Sequence, residues 1–128
     1  REIGNPDNEL LKDIEVINLP LENTKYCENI YWVYAIMIKD EYKKSAKEIM
    51  VELANYKIGA RPFFYPMHKQ PVFNKMDLFL NNGLLNSEKL YKKGFYIPSG
   101  LALTKDQIIE VSKILHKVLQ WDNLVIYF

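Results

Sequence analysis

Residues 59–71, Gly59-Ala60-Arg61-Pro62-Phe63-Phe64-Tyr65-Pro66-Met67-His68-Lys69-Gln70-Pro71, restrict the fold of this chain more than any other stretch. Three prolines, at 62, 66 and 71, stand within ten positions. Proline fixes its own φ and lacks an N–H, and it pushes the preceding residue toward extended backbone. Arg61, Tyr65 and Gln70 are therefore held extended, and the stretch is expected not to be helical. In an extended chain Arg61, Phe63 and Tyr65 point one way, Pro62 and Phe64 the other. A stiff loop carrying Arg61, Tyr65, His68 and Gln70 suits holding polar groups against a ligand. The plainer reading is a proline-rich connector whose aromatic rings pack on the core.

The rest of the chain alternates strand and helix patterns. Asn5-Pro6-Asp7-Asn8-Glu9 is a helix start, with a capping residue, proline at the first helical position and acids in the first turn. That helix ends near Asp13 or Ile14. Glu15–Leu19 reads as a short strand stopped by Pro20, and 21–28 as polar loop. Ile30–Ile38 is aromatic and β-branched, with apolar residues on both faces, and predicts a central strand. Asp40 is placed to cap a helix over about 41–56, whose core stripe is Tyr42, Ala46, Ile49, Met50 and Leu53. Gly59 permits the turn into a strand over Ala60–Phe64. Asn81-Asn82-Gly83 marks a turn. Ser87 is placed to cap a short helix to Lys93, ended by Gly94 in the left-handed position. Phe95–Ile97 predicts a third core strand. Thr104 and Gln107 form a capping box for a helix over about 105–120, with Ile108, Val111, Leu115, Val118 and Leu119 buried. Asn123–Phe128 reads as an extra edge strand. The fold class is α+β: one small, largely antiparallel sheet with helices on one face.

Length and composition exclude several functions. At 128 residues the chain is expected to be a single domain, 1–128, with a real core. A net charge of +1 carries no basic excess for a large nucleic-acid footprint. Cys27 is the only cysteine, so no internal disulfide forms, and a reducing compartment fits. No apolar run reaches the ~18 residues of a membrane span, and no signal peptide is visible. A chain beginning at Arg1 fits a piece of a longer protein. His68 and His116 are the only histidines, and the carboxylates show no ligand spacing for a metal. His116 falls on a lysine-rich helix face and is expected in solvent. Cys27 is expected to be an inert, partly buried thiol. There is no glycine-rich phosphate loop, and Ser99-Gly100 lacks the context of a nucleophile elbow.

Arg61-Pro62-Phe63-Phe64-Tyr65-Pro66-Met67-His68-Lys69-Gln70-Pro71 resembles a signature loop of the DegT/DnrJ sugar aminotransferases, closest to perosamine synthase-like members. Asn29-Ile30-Tyr31-Trp32-Val33-Tyr34 looks like that family's first small-domain strand. Gly94-Phe95-Tyr96-Ile97-Pro98-Ser99, then Leu103-Thr104 and a final helix, look like its closing segment. The resemblance runs from about Arg1 to Leu119 and covers only the family's carboxy-terminal third. It implies the small domain of a fold type I pyridoxal-phosphate enzyme, with residues 1–14 ending the helical region between the domains. The large domain and its Schiff-base lysine would lie outside this chain.

The residues agree with that division. A Schiff-base lysine is desolvated or set beside another cation, and none of the fifteen lysines lies in an apolar, small-residue setting. No catalytic, cofactor-binding or metal residue is therefore expected in this chain, nor pyridoxal phosphate bound to it alone. The resemblance implies that the full-length enzyme moves an amino group, from glutamate, to a nucleotide-linked 4-keto-6-deoxy sugar in the cytoplasm, for cell-surface polysaccharide precursors. Arg61, Tyr65, His68 and Gln70 would then be substrate-binding residues. Arg61 offers a two-pronged donor to phosphate or carboxylate, or an ion pair to a surface acid. His68 can donate or accept. Partners implied are the chain's own large domain, a homodimer partner and the nucleotide sugar, with no nucleic acid and no membrane. Apolar surface left for them would include Tyr31, Trp32, Phe63, Phe64 and the 124–128 tail. Two other classes remain: a stand-alone, non-catalytic binding or dimerisation module, and a small independent enzyme using His68.

Overall fold

The computed structural model describes residues 4–79, 83–100 and 102–120, with side chains from Asp7 onward. The elements are α1 (Gly4–Leu11), β1 (Ile17–Asn18), β2 (Tyr34–Ile38), α2 (Ala46–Asn55), β3 (Arg61–Pro62), α3 (Pro71–Lys75), α4 (Leu85–Lys93), β4 (Gly94–Ile97) and α5 (Lys105–Gln120). A 3-10 turn over Met67–Lys69 precedes α3. The four strands form one sheet in the order β1-β2-β4-β3, antiparallel throughout. The expected 123–128 strand and the Asn81-Asn82 part of the predicted turn lie outside the described residues.

The central pair is β2 and β4, with Tyr34 opposite Ile97 and Ile36 opposite Phe95. These four side chains share one face and are all buried, because a strand sends alternate side chains to one side. Helices α2 and α5 cover that face, contributing Ile49, Leu53, Val111, Leu115, Val118 and Leu119 to the same core. The predicted α5 stripe is buried throughout, as are Ala46, Ile49 and Leu53 of α2; Met50 packs at the margin, as does Tyr42, which lies before the helix rather than on it. The α5 box also forms: Thr104 N–H donates to Gln107 Oε1 at 2.9 Å, and Gln107 N–H to Thr104 Oγ1 at 3.3 Å. At the other end of α5, Tyr42 Oη donates to Leu119 O at 3.0 Å and Lys44 Nζ to Val118 O at 3.3 Å, satisfying last-turn carbonyls.

Several boundaries move for local reasons. Helix α2 is capped by Ser45, not Asp40; Ser45 and Glu48 bond reciprocally in a capping box. Asp40 pairs instead with Lys89 of α4. Strand β2 starts at Tyr34 rather than Ile30, because Tyr31 takes φ 50° while its N–H donates to Asn29 Oδ1 at 2.8 Å. The turn after α2 is made at Lys57, which takes φ 61°, and no described glycine has a positive φ. Helix α1 begins at Gly4, so Asn5 is not its cap. Ser87 lies inside α4, which has no side-chain cap.

Helix α1 is fastened to α5. His116 Nε2 donates to Leu10 O at 2.8 Å while its Nδ1 accepts from Gln120 Nε2 at 3.2 Å. His116 is thus a strut at the last turn of α1, not the solvated residue expected, since the packing of α1 on α5 turns its face inward. The first turn of α1 carries a strained group. Asp7 is 2% exposed, and its Oδ2 has no hydrogen-bond partner among the described residues. Burial raises its pKa from 3.8 to about 6. Next to it, Asn8 ties α1 to β2 and to two residues of the loop between β1 and β2. Its Oδ1 accepts from Tyr34 Oη at 2.5 Å, and its Nδ2 donates to Tyr31 Oη at 3.0 Å and Glu22 Oε1 at 2.9 Å. Burial, then the Asp7 charge, push the Tyr34 phenol upward.

Leu53→Ala or Leu115→Ala is expected to cost about 2–5 kcal/mol in urea unfolding. Substitution of the exposed Lys47 or Lys113 should change stability by less than about 0.5 kcal/mol. Equal effects from the two pairs would show that the helix faces are misassigned.

Asp7 gives a pH dependence of definite sign. Its folded pKa lies above its unfolded value, so between about pH 4 and 6 the folded chain binds more protons, and stability falls as pH rises. Asp7→Asn should match the wild type near pH 4 and exceed it increasingly up to about pH 7, by at most roughly 3 kcal/mol. Urea midpoints across that range check it. A constant difference at every pH would contradict the assignment.

Candidate functional site

The 59–71 loop leaves the sheet at its β3 edge. Arg61 pairs with Tyr96 and Pro62 with Phe95, and the ladder stops there, since proline has no N–H to continue it. Beyond Pro62 the expected alternation fails. Phe63 and Phe64 both reach the same ring, meeting Tyr96 edge-on at centroid distances of 5.1 and 5.9 Å. Gly94 makes this fold-back possible. Its backbone is extended at φ −104°, so it is not the left-handed stop predicted from sequence. A Cβ at that position would collide with the ring of Phe63 and come within 2.6 Å of Leu90 O. The glycine is there for close approach, not for its φ.

The chain then runs through Pro66, at φ −56° and ψ 132°, into the Met67–Lys69 turn. Helical turns do occur in this stretch, contrary to expectation. The proline spacing leaves 67–69 free to coil, and Pro71 stands at the first position of α3, where a missing N–H costs nothing. The turn places two neighbouring side chains on one carboxylate of α4. His68 Nε2 lies 3.1 Å from Glu88 Oε1, and Lys69 Nζ 2.7 Å from Glu88 Oε2. The Lys69 and His68 hydrogen bonds hold the Glu88 carboxyl below its usual range. His68 is 8% exposed, and Glu88 is largely covered. Gln70 Nε2 donates to Tyr65 O at 3.4 Å, and the Tyr65 ring meets Tyr91 of α4 edge-on at 5.0 Å.

Two of the four candidates, Tyr65 and His68, thus meet α4, while Gln70 bonds back to the Tyr65 carbonyl within the loop. Arg61 is not part of that contact set among the described residues; it stands exposed on the edge strand. Sequence reasoning missed Glu88 and Tyr91, which lie about twenty residues away in a segment with no distinguishing spacing. Cys27 is exposed, not partly buried, with Sγ 3.3 Å from Thr24 Oγ1 in the 21–28 loop. Tyr31 is buried, whereas Trp32 and Phe64 are 73% and 72% exposed. Phe63 is half-buried, and the 124–128 tail lies outside the described residues. An open cleft of about 340 Å³ between the end of α2 and the start of α5 includes Tyr56, Lys57 and Glu110 but none of the four candidates. No group of three or more His, Cys, Asp or Glu side chains gathers for a metal among the described residues, and no described helix is long and apolar enough to cross a membrane.

The sequence pattern of the DegT/DnrJ/EryC1/StrS aminotransferase family matches residues 1–116. The chain belongs to that family. It is 30% identical over 100 residues to GDP-perosamine synthase of Vibrio cholerae, a match covering 76% of this chain and 27% of that protein. Among solved structures, PseC of Helicobacter pylori, an aminotransferase involved in the biosynthesis of pseudoaminic acid, superposes with a TM-score of 0.80 at 17% identity. That superposition covers 94% of this chain and 32% of PseC. GDP-4-keto-6-deoxy-D-mannose-3-dehydratase of E. coli, with bound hydrated PLP, superposes at 0.75 with 20% identity, covering 90% and 29%. The chain therefore spans less than a third of the length of these relatives. Family membership raises the question of pyridoxal phosphate. Its aldehyde needs a desolvated lysine, and all fifteen lysines of this chain are exposed or only partly covered. The residues present do not fit the covalent site of that cofactor.

Gly94→Ala should destabilise the chain by about 1–3 kcal/mol or more, since the new methyl displaces Phe63. Because the two positions share one space, Phe63→Ala should recover part of that loss in the double variant. Urea unfolding of the two singles and the double checks this; strict additivity would contradict the contact.

Proposed function

We propose that this chain is the carboxy-terminal small domain of a pyridoxal-phosphate enzyme that transfers an amino group, from glutamate, to a nucleotide-linked 4-keto-6-deoxy sugar. It would act in the cytoplasm as a homodimer, supplying precursors of cell-surface polysaccharide or lipopolysaccharide. The large domain would contribute the cofactor lysine; the present residues would close the site and help choose the sugar. Family membership and the likeness to GDP-perosamine synthase support the class of reaction. The observation that carries the role of this chain is the build of the 61–71 loop. Its backbone is restrained by Pro62, Pro66 and Pro71, and its His68 ring is held by α4 before any ligand arrives. Such a loop loses little conformational freedom on binding, so more of each contact appears as affinity or transition-state stabilisation.

In this reading Arg61, exposed at the sheet edge, meets an anionic group of the nucleotide sugar through its planar fork. His68 hydrogen-bonds a sugar hydroxyl or a water beside it, and Tyr65 and Gln70 shape the same wall. Pyridoxal phosphate, held elsewhere in the enzyme, supplies the carbanion chemistry.

Arg61→Ala and His68→Ala, made in the longer enzyme that carries this chain, should each lower kcat/KM by about ten- to a hundredfold, equivalent to roughly 1.5–3 kcal/mol. The variants should still fold and still bind pyridoxal phosphate. A packing role predicts the reverse: a lower Tm, with catalysis per folded molecule unchanged. Measuring Tm and kcat/KM on the same preparations decides between them.

A further inference from the structure

We propose that Glu88 is a positioning residue for His68, fixing the imidazole as its Nε2–H tautomer and leaving Nδ1 as the acceptor that the loop offers to a ligand hydroxyl. An ionised carboxylate can only accept hydrogen bonds. Glu88 uses one oxygen for Lys69 Nζ at 2.7 Å and the other for His68 Nε2 at 3.1 Å. With Lys69 keeping that carboxyl ionised, the proton of the second bond has to sit on Nε2. In the neutral ring one lone pair is then left, on Nδ1, which makes no hydrogen bond among the described residues.

The geometry leaves the ring little choice. Its side chain is 6% exposed, which prevents a swing to another rotamer. His68 and Lys69 are consecutive residues of one 3-10 turn, so one carboxylate holds both. Helix α4 runs without a break into the central strand β4, and Lys89, next to Glu88, pairs with Asp40 beyond β2. The carboxylate is therefore anchored to the sheet rather than to a mobile segment. A neutral imidazole exposing Nδ1 accepts from a hydroxyl; one exposing an N–H would instead donate to a carbonyl or phosphate oxygen. Glu88 thereby selects the hydroxyl of a sugar over an anionic oxygen as the partner of His68. This last step rests on the reading that residues 61–71 face the substrate; the tautomer itself does not.

Long-range proton–nitrogen correlation spectra of the chain at about pH 8, where an ordinary imidazole is neutral, report which ring nitrogen carries the proton. Loss of one ring's signals in His68→Gln assigns His68. The wild type should show a protonated Nε2 and a bare Nδ1 as a single form. Glu88→Gln, whose amide donates as well as accepts, should admit the Nδ1–H form, and Glu88→Asp should restore the single form. Amide spectra matching the wild type confirm that each variant is folded. A wild-type ring protonated on Nδ1, a wild-type mixture, or a Glu88→Gln spectrum identical to wild type would each overturn the proposal. Wild-type kinetics in Arg61→Ala and His68→Ala would remove the ligand-facing reading while leaving the tautomer result standing, so the two failures are distinguishable.

Discussion

The close approach of the Phe63 ring to the backbone of Gly94 is the contact on which the arrangement of the candidate site depends. Strand β3 is only two residues long and its second is proline, so the sheet alone cannot direct the loop that follows. Direction comes from the aromatic clamp: Phe63 settles over Gly94 while both it and Phe64 lean on Tyr96. Once the chain has turned there, Pro66 and Pro71 leave one short interval free to coil, and that interval brings His68 and Lys69 to α4. Stiffness of the backbone and the position of the side chains have separate causes, proline for the first and ring packing for the second.

The fold was legible where its determinants are local or periodic. The apolar stripes of α2 and α5, the capping box at Thr104 and the strand 95–97 depend on residues a few positions apart, and pattern reading found them. Errors arose where one polar side chain redirected the backbone. Asn29 draws Tyr31 into a left-handed turn and shortens β2, and Ser45 wins the cap of α2 while a lysine of α4 engages Asp40. Gly94 shows a different limit. A glycine after a helix is read as a cap, yet its role follows from a ring that arrives from thirty-one residues earlier in the chain.

Site legibility followed the same line. The loop 61–71 was identified from its prolines and aromatics, and two of its four candidates, Tyr65 and His68, meet α4. Glu88 and Tyr91, which they converge on, belong to a weakly patterned helix with no buried side chain. Nothing in their spacing relates them to His68. Likewise His116 looked solvated because its neighbours are lysines, and only the packing of α1 on α5 turns it to the Leu10 carbonyl.

That division of labour between loop and helix bears on how the candidate site of such a domain could be exchanged. Residues 61–71 look like a self-contained cassette, and a loop exchange between relatives would ordinarily take that stretch alone. The transplanted histidine would then arrive without its carboxylate, and the transplanted phenylalanine would meet whatever residue the recipient carries at the strand start. The exchangeable unit is discontinuous: the loop together with the α4–β4 junction, from Glu88 through Gly94 to Tyr96. Chimeras cut at the loop boundaries would inherit the candidate side chains but not their orientation.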